Sequence, residues 1–143
     1  MKKYKLPLLF TILLSIAGCF SPYDQVVEIE TLGNQMKYNM TQIKAKPNTK
    51  IKIILKNNAS LEIMKHNIVI LNDASKIDEV GTAALNVENY VPKHPSIIAA
   101  SDMIGPGEET ELIVQIPDAV ATYPFICTFP GHYQVMQGKI IVE

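Results

Sequence analysis

Cys127-Thr128-Phe129-Pro130-Gly131-His132-Tyr133-Gln134-Val135-Met136 puts a thiol, an imidazole and a thioether within ten residues. It lies between two β-forming runs, Tyr123-Pro124-Phe125-Ile126 before it and Gly138-Lys139-Ile140-Ile141-Val142 after it. A tight loop between neighbouring strands can aim all three side chains at one ion. A second imidazole is at hand in His66, just ahead of the apolar run Asn67-Ile68-Val69-Ile70-Leu71. Two imidazoles and a thiolate in one plane, with a weakly bound thioether on its axis, suit copper in both oxidation states. Soft sulfur favours Cu(I), imidazole accepts either state, and copper heads the divalent affinity order. Any one of these residues alone would more often be core or surface. The conjunction is what points to a metal.

The rest of the chain reads as short strands broken by turn residues. Val26–Glu30 alternates as a strand, and Leu32-Gly33-Asn34 turns it. Met36–Ala45 reads as one broken strand, Lys50–Lys56 as a strand closed by the turn signal Asn57-Asn58, and Asn67–Leu71 as a strand buried on both faces. Val80, Ala83, Ala84 and Val87 give the segment Ser75–Tyr90 a short amphipathic helix. Strand signals resume at Ile97-Ile98-Ala99 and at Glu111–Ile116, on either side of the turn Gly105-Pro106-Gly107-Glu108. This pattern is that of an all-β sandwich.

At 143 residues, 48% apolar and 19% charged, the chain suits one packed domain. Thirteen Lys, no Arg and no basic run make nucleic acid a poor partner. The first eighteen residues are a separate object. A basic start, Met1–Lys5, precedes a largely apolar stretch of twelve residues from Leu6 to Ala17. A membrane-crossing helix needs about 20, so this stretch fits the apolar part of a secretory signal. It ends in Ile16-Ala17-Gly18-Cys19, which resembles the lipobox of bacterial lipoproteins. That resemblance implies cleavage before Cys19, acyl chains on it and export to the periplasmic side of the cell envelope as a membrane-anchored lipoprotein. The alternative is ordinary signal cleavage with Cys19 incidental. The organisation expected is residues 1–18 as signal, 19–25 as lipidated tether and 26–143 as the domain. Loss of three Lys leaves ten against fourteen acidic residues, a mature charge of −4. Cys127 is then the domain's only thiol.

Across nearly all of residues 26–143 the sequence resembles the cupredoxins, specifically azurin and the auracyanins. The string C-T-F-P-G-H-x-x-x-M from Cys127 to Met136 resembles azurin's copper loop, and Met64-Lys65-His66-Asn67 its first-histidine segment. Asn34-Gln35-Met36-Lys37-Tyr38-Asn39 is similar to an early azurin loop. Ile98-Ala99 through Met103-Ile104-Gly105-Pro106-Gly107-Glu108 is similar to a later one. The resemblance implies a Greek-key sandwich of seven to eight strands with a short helical flap. It further implies a type 1 (blue) copper ion on His66, Cys127, His132 and Met136, passing single electrons. Asn67 would brace the ligand loops and give its N–H to the Cys127 sulfur. Electrons would cross the exposed edge of His132, ringed by Met36, Met64, Met103, Phe129, Pro130 and Val135 as a soft docking surface. The partners implied are redox proteins, such as a c-type cytochrome or a membrane-bound respiratory complex.

Two departures stand out. Lys65 replaces the glycine that precedes azurin's first histidine, so its carbonyl is left out of the ligand set. Azurin's disulfide has no counterpart. Rival readings fare worse. A copper reductase needs further His ligands, and only His94 is spare; it reads as a solvated loop residue. A dinuclear copper centre needs two Cys in the loop, where position 131 is Gly. A copper chaperone or buffer usually omits the thiolate.

Overall fold

A computed structural model describes residues 21–143; Cys19 and the signal segment lie outside the described residues. Alternation of apolar and polar residues builds the first sheet. β1 (Gln25–Glu30) buries Val27 and Ile29, and β3 (Lys50–Lys56) buries Ile51, Ile53 and Leu55. β6 (Glu109–Gln115) buries Leu112 and Val114. Their order is β1-β3-β6, with β1 parallel and β6 antiparallel to β3.

The second sheet runs β2 (Gln42–Ala45), β8 (Gln137–Val142), β7 (Thr122–Ile126), β4 (Val69–Leu71), β5 (Ile97–Ala100). The β2–β8 pair is parallel and the other neighbours are antiparallel. The inward faces of the two sheets share one core, in which Ile29, Ile51, Ile53, Leu55, Phe125 and Ile140 are almost wholly shielded. Burying such a side chain is worth about 1.5–3 kcal/mol, so this core carries the domain without a disulfide.

The outer face of the second sheet is capped by α1 (Ile77–Ala84). Asp73 starts the approach, its Oδ1 accepting from Ser75 N at 2.8 Å above a 3-10 turn at Ala74–Lys76. Val80 from α1 meets Val69, Leu71 and Ile126 in a second apolar cluster. That cover explains why Val69-Ile70-Leu71 is apolar at every position: all three are buried.

The β-sandwich and its helical flap agree with the sequence reading, and two local expectations are corrected. Met36–Ala45 is not one strand. Tyr38 bridges Thr31 beside the first sheet, whereas Gln42–Ala45 joins the second. The strand expected over Asn67–Leu71 starts only at Val69, because Ile68 N goes to Ser101 Oγ (3.0 Å) and the Asn67 N–H goes to the Cys127 sulfur.

Candidate metal centre

β7 delivers Cys127 one residue past its end, and β8 begins one residue after Met136. The backbone closes the loop between them. Cys127 N donates to Met136 O at 3.0 Å, Met136 N to His132 O at 2.8 Å, and His132 N to Phe129 O at 3.0 Å. Gly131 sits at φ 81°, a conformation that favours glycine and lets the chain reverse ahead of His132. His66 comes from the segment leading into β4, the strand that pairs with β7. A two-way bridge with Ile104 holds its backbone, at 3.0 and 2.9 Å. Asn57 Nδ2 fixes that region by donating to Met64 O (2.8 Å) and Ile104 O (3.2 Å).

Cys127 Sγ lies 3.8 Å from His66 Nδ1 and 3.5 Å from His132 Nδ1. One donor atom from each of the three residues falls within 4.8 Å of the others. Cys127, His66 and Met136 are fully buried, and His132 is 4% exposed. Met136 shares the main core cluster with Cys127. The ring edge of His132, expected to be exposed, is largely covered: Phe129 lies edge-on against it, ring centroids 4.9 Å apart.

The electrostatics of the site call for a cation. Burial pushes the Cys127 thiol up to about 11, against the opposing pull of N–H groups from Asn67 and Phe129 on its sulfur. Burial, helped by His132, holds His66 down at about 4, and burial lowers His132 as well. The protein supplies no positive charge here, so a thiolate becomes favourable only when a metal ion brings it. His66 Nε2 is buried without a hydrogen-bond partner, which leaves Nδ1 as the nitrogen with something to face. Soft sulfur plus two neutral imidazoles, with a thioether alongside, fits copper. His66, Cys127, His132 and Met136 fit a type 1 copper site.

Asn67 is the brace between the two ligand-bearing segments. Its Nδ2 donates to Thr128 Oγ1 and its Oδ1 accepts from Thr128 N, both at 2.8 Å. Tyr38, buried over Phe125 with ring centroids 5.5 Å apart, donates its hydroxyl to Asn67 O at 2.6 Å. Burial, with the nearby Cys127 adding to it, raises that phenol well above its ordinary range, so it stays a donor.

Of the six residues expected to form a docking rim, Met36, Pro130 and Val135 are exposed, and Met64, Met103 and Phe129 are half-buried. Leu61 and Ile63, which the sequence reading passed over, are 53% and 71% exposed on the loop leading to His66. Asn34 joins that loop to the Met36 loop, its Oδ1 accepting from Ser60 N and Leu61 N at 2.9 and 3.1 Å. A lone pair of apolar residues among polar ones gave no signal in sequence. His94 is a correction. Its side chain is only 11% exposed, its Nε2 meets Glu79 Oε1 at 3.0 Å, and its Nδ1 accepts from Ser96 N at 3.1 Å.

The titration of His66 has a consequence for the copper-free protein. An unfolded chain takes up this proton near 6.5 and the folded one only near 4. Stability is therefore complete above the higher value and declines as pH falls between the two, by roughly 3 kcal/mol for this group. Urea unfolding of copper-free protein at pH 7 and pH 4 should show that loss, and replacing His66 by Gln should shrink it.

A model of the "Copper binding proteins, plastocyanin/azurin family" matches residues 25–143. Auracyanin-A of Chloroflexus aurantiacus is 32% identical over 121 residues, 82% of this chain and 74% of that protein. "Outer membrane protein H.8" of Neisseria gonorrhoeae is 36% identical over 81 residues; the match takes in 54% of this chain and 44% of that protein's length. Among solved structures, dithionite-reduced auracyanin from Roseiflexus castenholzii superposes with a TM-score of 0.76 at 30% identity, covering 82% of this chain and 96% of that one. The match runs through both sheets and the ligand loop alike, and the chain belongs to the copper-binding plastocyanin/azurin family.

Proposed function

We propose that the chain is a one-electron carrier whose type 1 copper cycles between Cu(II) and Cu(I), not an enzyme. One observation carries the reading: a buried thiol and two buried imidazole Nδ1 atoms face one another, with no carboxylate among them. Copper supplies the redox change. The protein's part is to hold His66, Cys127 and His132 in a fixed frame, so that little must move when the charge changes. Asn67 and Tyr38 stiffen that frame, two backbone N–H groups stabilise the sulfur's negative charge, and the closed core keeps water away. The relative from Roseiflexus castenholzii was crystallised in a dithionite-reduced form, consistent with this use.

The partner would be a redox protein, such as a c-type cytochrome or a membrane-bound respiratory complex, docking on the apolar rim around His132. Met36, Met64, Met103, Phe129, Pro130 and Val135 frame that rim, and Leu61 with Ile63 widen it. The chain enters the described domain beside Gln25, at the opposite end of β1 from the Met36 loop. At about 3.3 Å per residue a strand of six residues separates the two ends. An acylated Cys19 would therefore hold the domain with its copper end outward. Among the described residues no helix is long and apolar enough to cross a membrane. Replacing Cys19 by Ala should move the protein from the membrane fraction to the soluble one, with its copper retained. A variant that stayed in the membrane fraction would refute the anchor.

Carrier and chaperone separate in one experiment. Copper-loaded protein should give a reversible one-electron wave and hold its copper against a competing acceptor protein. Rapid surrender of copper, with an irreversible wave, would favour delivery over electron transfer.

A further inference from the structure

The segment from α1 to Tyr90 contains two residues whose placement costs something and which meet the rings of Tyr133 and Phe129, neighbours of His132 in the metal-bearing loop. The first is Gly81, mid-helix, where glycine is a poor choice. A Cβ there would sit 2.3 Å from Tyr133 Cγ and 2.5 Å from both of its neighbouring ring carbons. The helix backbone thus lies directly on the ring of the residue that follows His132. Tyr133 in turn packs into the second apolar cluster with Val69, Val80 and Ile126, and its carbonyl accepts from Gln137 Nε2 at 2.7 Å.

The second is Tyr90. Its φ of 56° is a left-handed conformation that bulky residues avoid. Strain of this kind persists only where the surroundings impose it. Here the conformation sets the Tyr90 ring edge-on against Phe129, centroids 5.5 Å apart at 70°. Phe129 is itself edge-on to His132, and its N–H reaches the Cys127 sulfur. Glu79 and His94 latch the helix to the segment that leads into β5, at 3.0 Å.

We propose that this flap is a clamp positioning His132: Gly81 seats Tyr133, and Tyr90 seats Phe129. Elsewhere the metal-bearing loop is held by its own hydrogen bonds, by Asn67 and by the core packing of Cys127, Phe129 and Met136. Gly81 and Tyr90 are positioning residues, since both act through a neighbour. The clamp bears on the copper-carrier reading through the identity of the metal alone.

Tyr90→Asn keeps a residue that tolerates the left-handed backbone and removes the ring, whereas Tyr90→Phe keeps the ring. In full-length protein as purified, amide exchange across residues 128–135 should be about tenfold faster in Tyr90→Asn than in wild type, and unchanged in Tyr90→Phe. In copper-loaded protein, low-temperature EPR of Tyr90→Asn should show a second Cu(II) population, again absent in Tyr90→Phe. Gly81→Ala should produce the same two changes by driving the Tyr133 ring aside. Should that variant fail to fold, the Tyr90 pair decides. Wild-type exchange and a single EPR population in Tyr90→Asn would overturn the clamp. Amide exchange needs no particular metal, so it reads the clamp even if the copper assignment fails.

Discussion

Cys127→Ser should leave a folded protein that has lost both its colour and its tight hold on copper. The change is small in volume, and the buried site accommodates a hydroxyl beside the N–H groups of Asn67 and Phe129. The chemistry changes far more. A serine hydroxyl is a hard donor that stays protonated, so charge donation from sulfur to Cu(II) vanishes and Cu(I) loses its soft partner. Changes to groups merely supporting a metal ligand cost ~10–100-fold in affinity; loss of the anionic ligand itself should exceed that range. Proton release separates this cause from general damage. The thiol is pushed up to about 11 by burial, so wild-type protein at neutral pH must shed a proton from Cys127 as copper binds, and the variant must not. Titration in weakly buffered solution measures this directly.

Gly138→Ala should be the most destabilising single-methyl change in the domain. Gly138 stands directly opposite Phe125 in the β7–β8 ladder. A Cβ there would come within 2.1 Å of Phe125 Cζ, because the ring lies across the glycine. Phe125 is fully buried and packs on Tyr38, so its ring has nowhere to go. Overpacking of this kind costs about 1–3 kcal/mol and occasionally more, and the upper end is expected here. That predicts a fall in Tm of roughly 10–12 °C for a domain of this size. A second change, Phe125→Leu, should recover part of the loss in the double variant, although it is destabilising on its own. Independent, additive losses would show that the ring and the glycine are not coupled. The effect should reach the metal, since Phe125 is two residues before Cys127 and Gly138 two after Met136.

These two sites mark how far the sequence could be read. Cys127–Met136 was legible because its donor atoms are close along the chain and chemically unusual together. His66 was legible because one more imidazole was needed and it stands at the head of a buried strand. The strands were legible wherever one face is polar, as in β1 and β3. Legibility failed where the third dimension decides. Nothing in Asn57-Asn58 distinguishes a surface turn from a buried amide donating to Met64 O and Ile104 O. His94 looked solvated because its neighbours Lys93 and Pro95 are loop residues, yet Glu79, fifteen positions away, is its partner. The carboxyl of Glu79 is held down at about 2, with His94 as the first cause and Lys76 as the second. Gly81 and Tyr90 carry no local signal either; only the rings they meet explain them.

The most direct test of the account is the absorption spectrum of full-length protein loaded with Cu(II). If His66, Cys127 and His132 hold one copper ion in this frame, an intense band toward the red end must appear, saturate at one copper per chain and disappear on reduction. Weak colour typical of copper bound by nitrogen and oxygen alone would contradict the site and, with it, the carrier function.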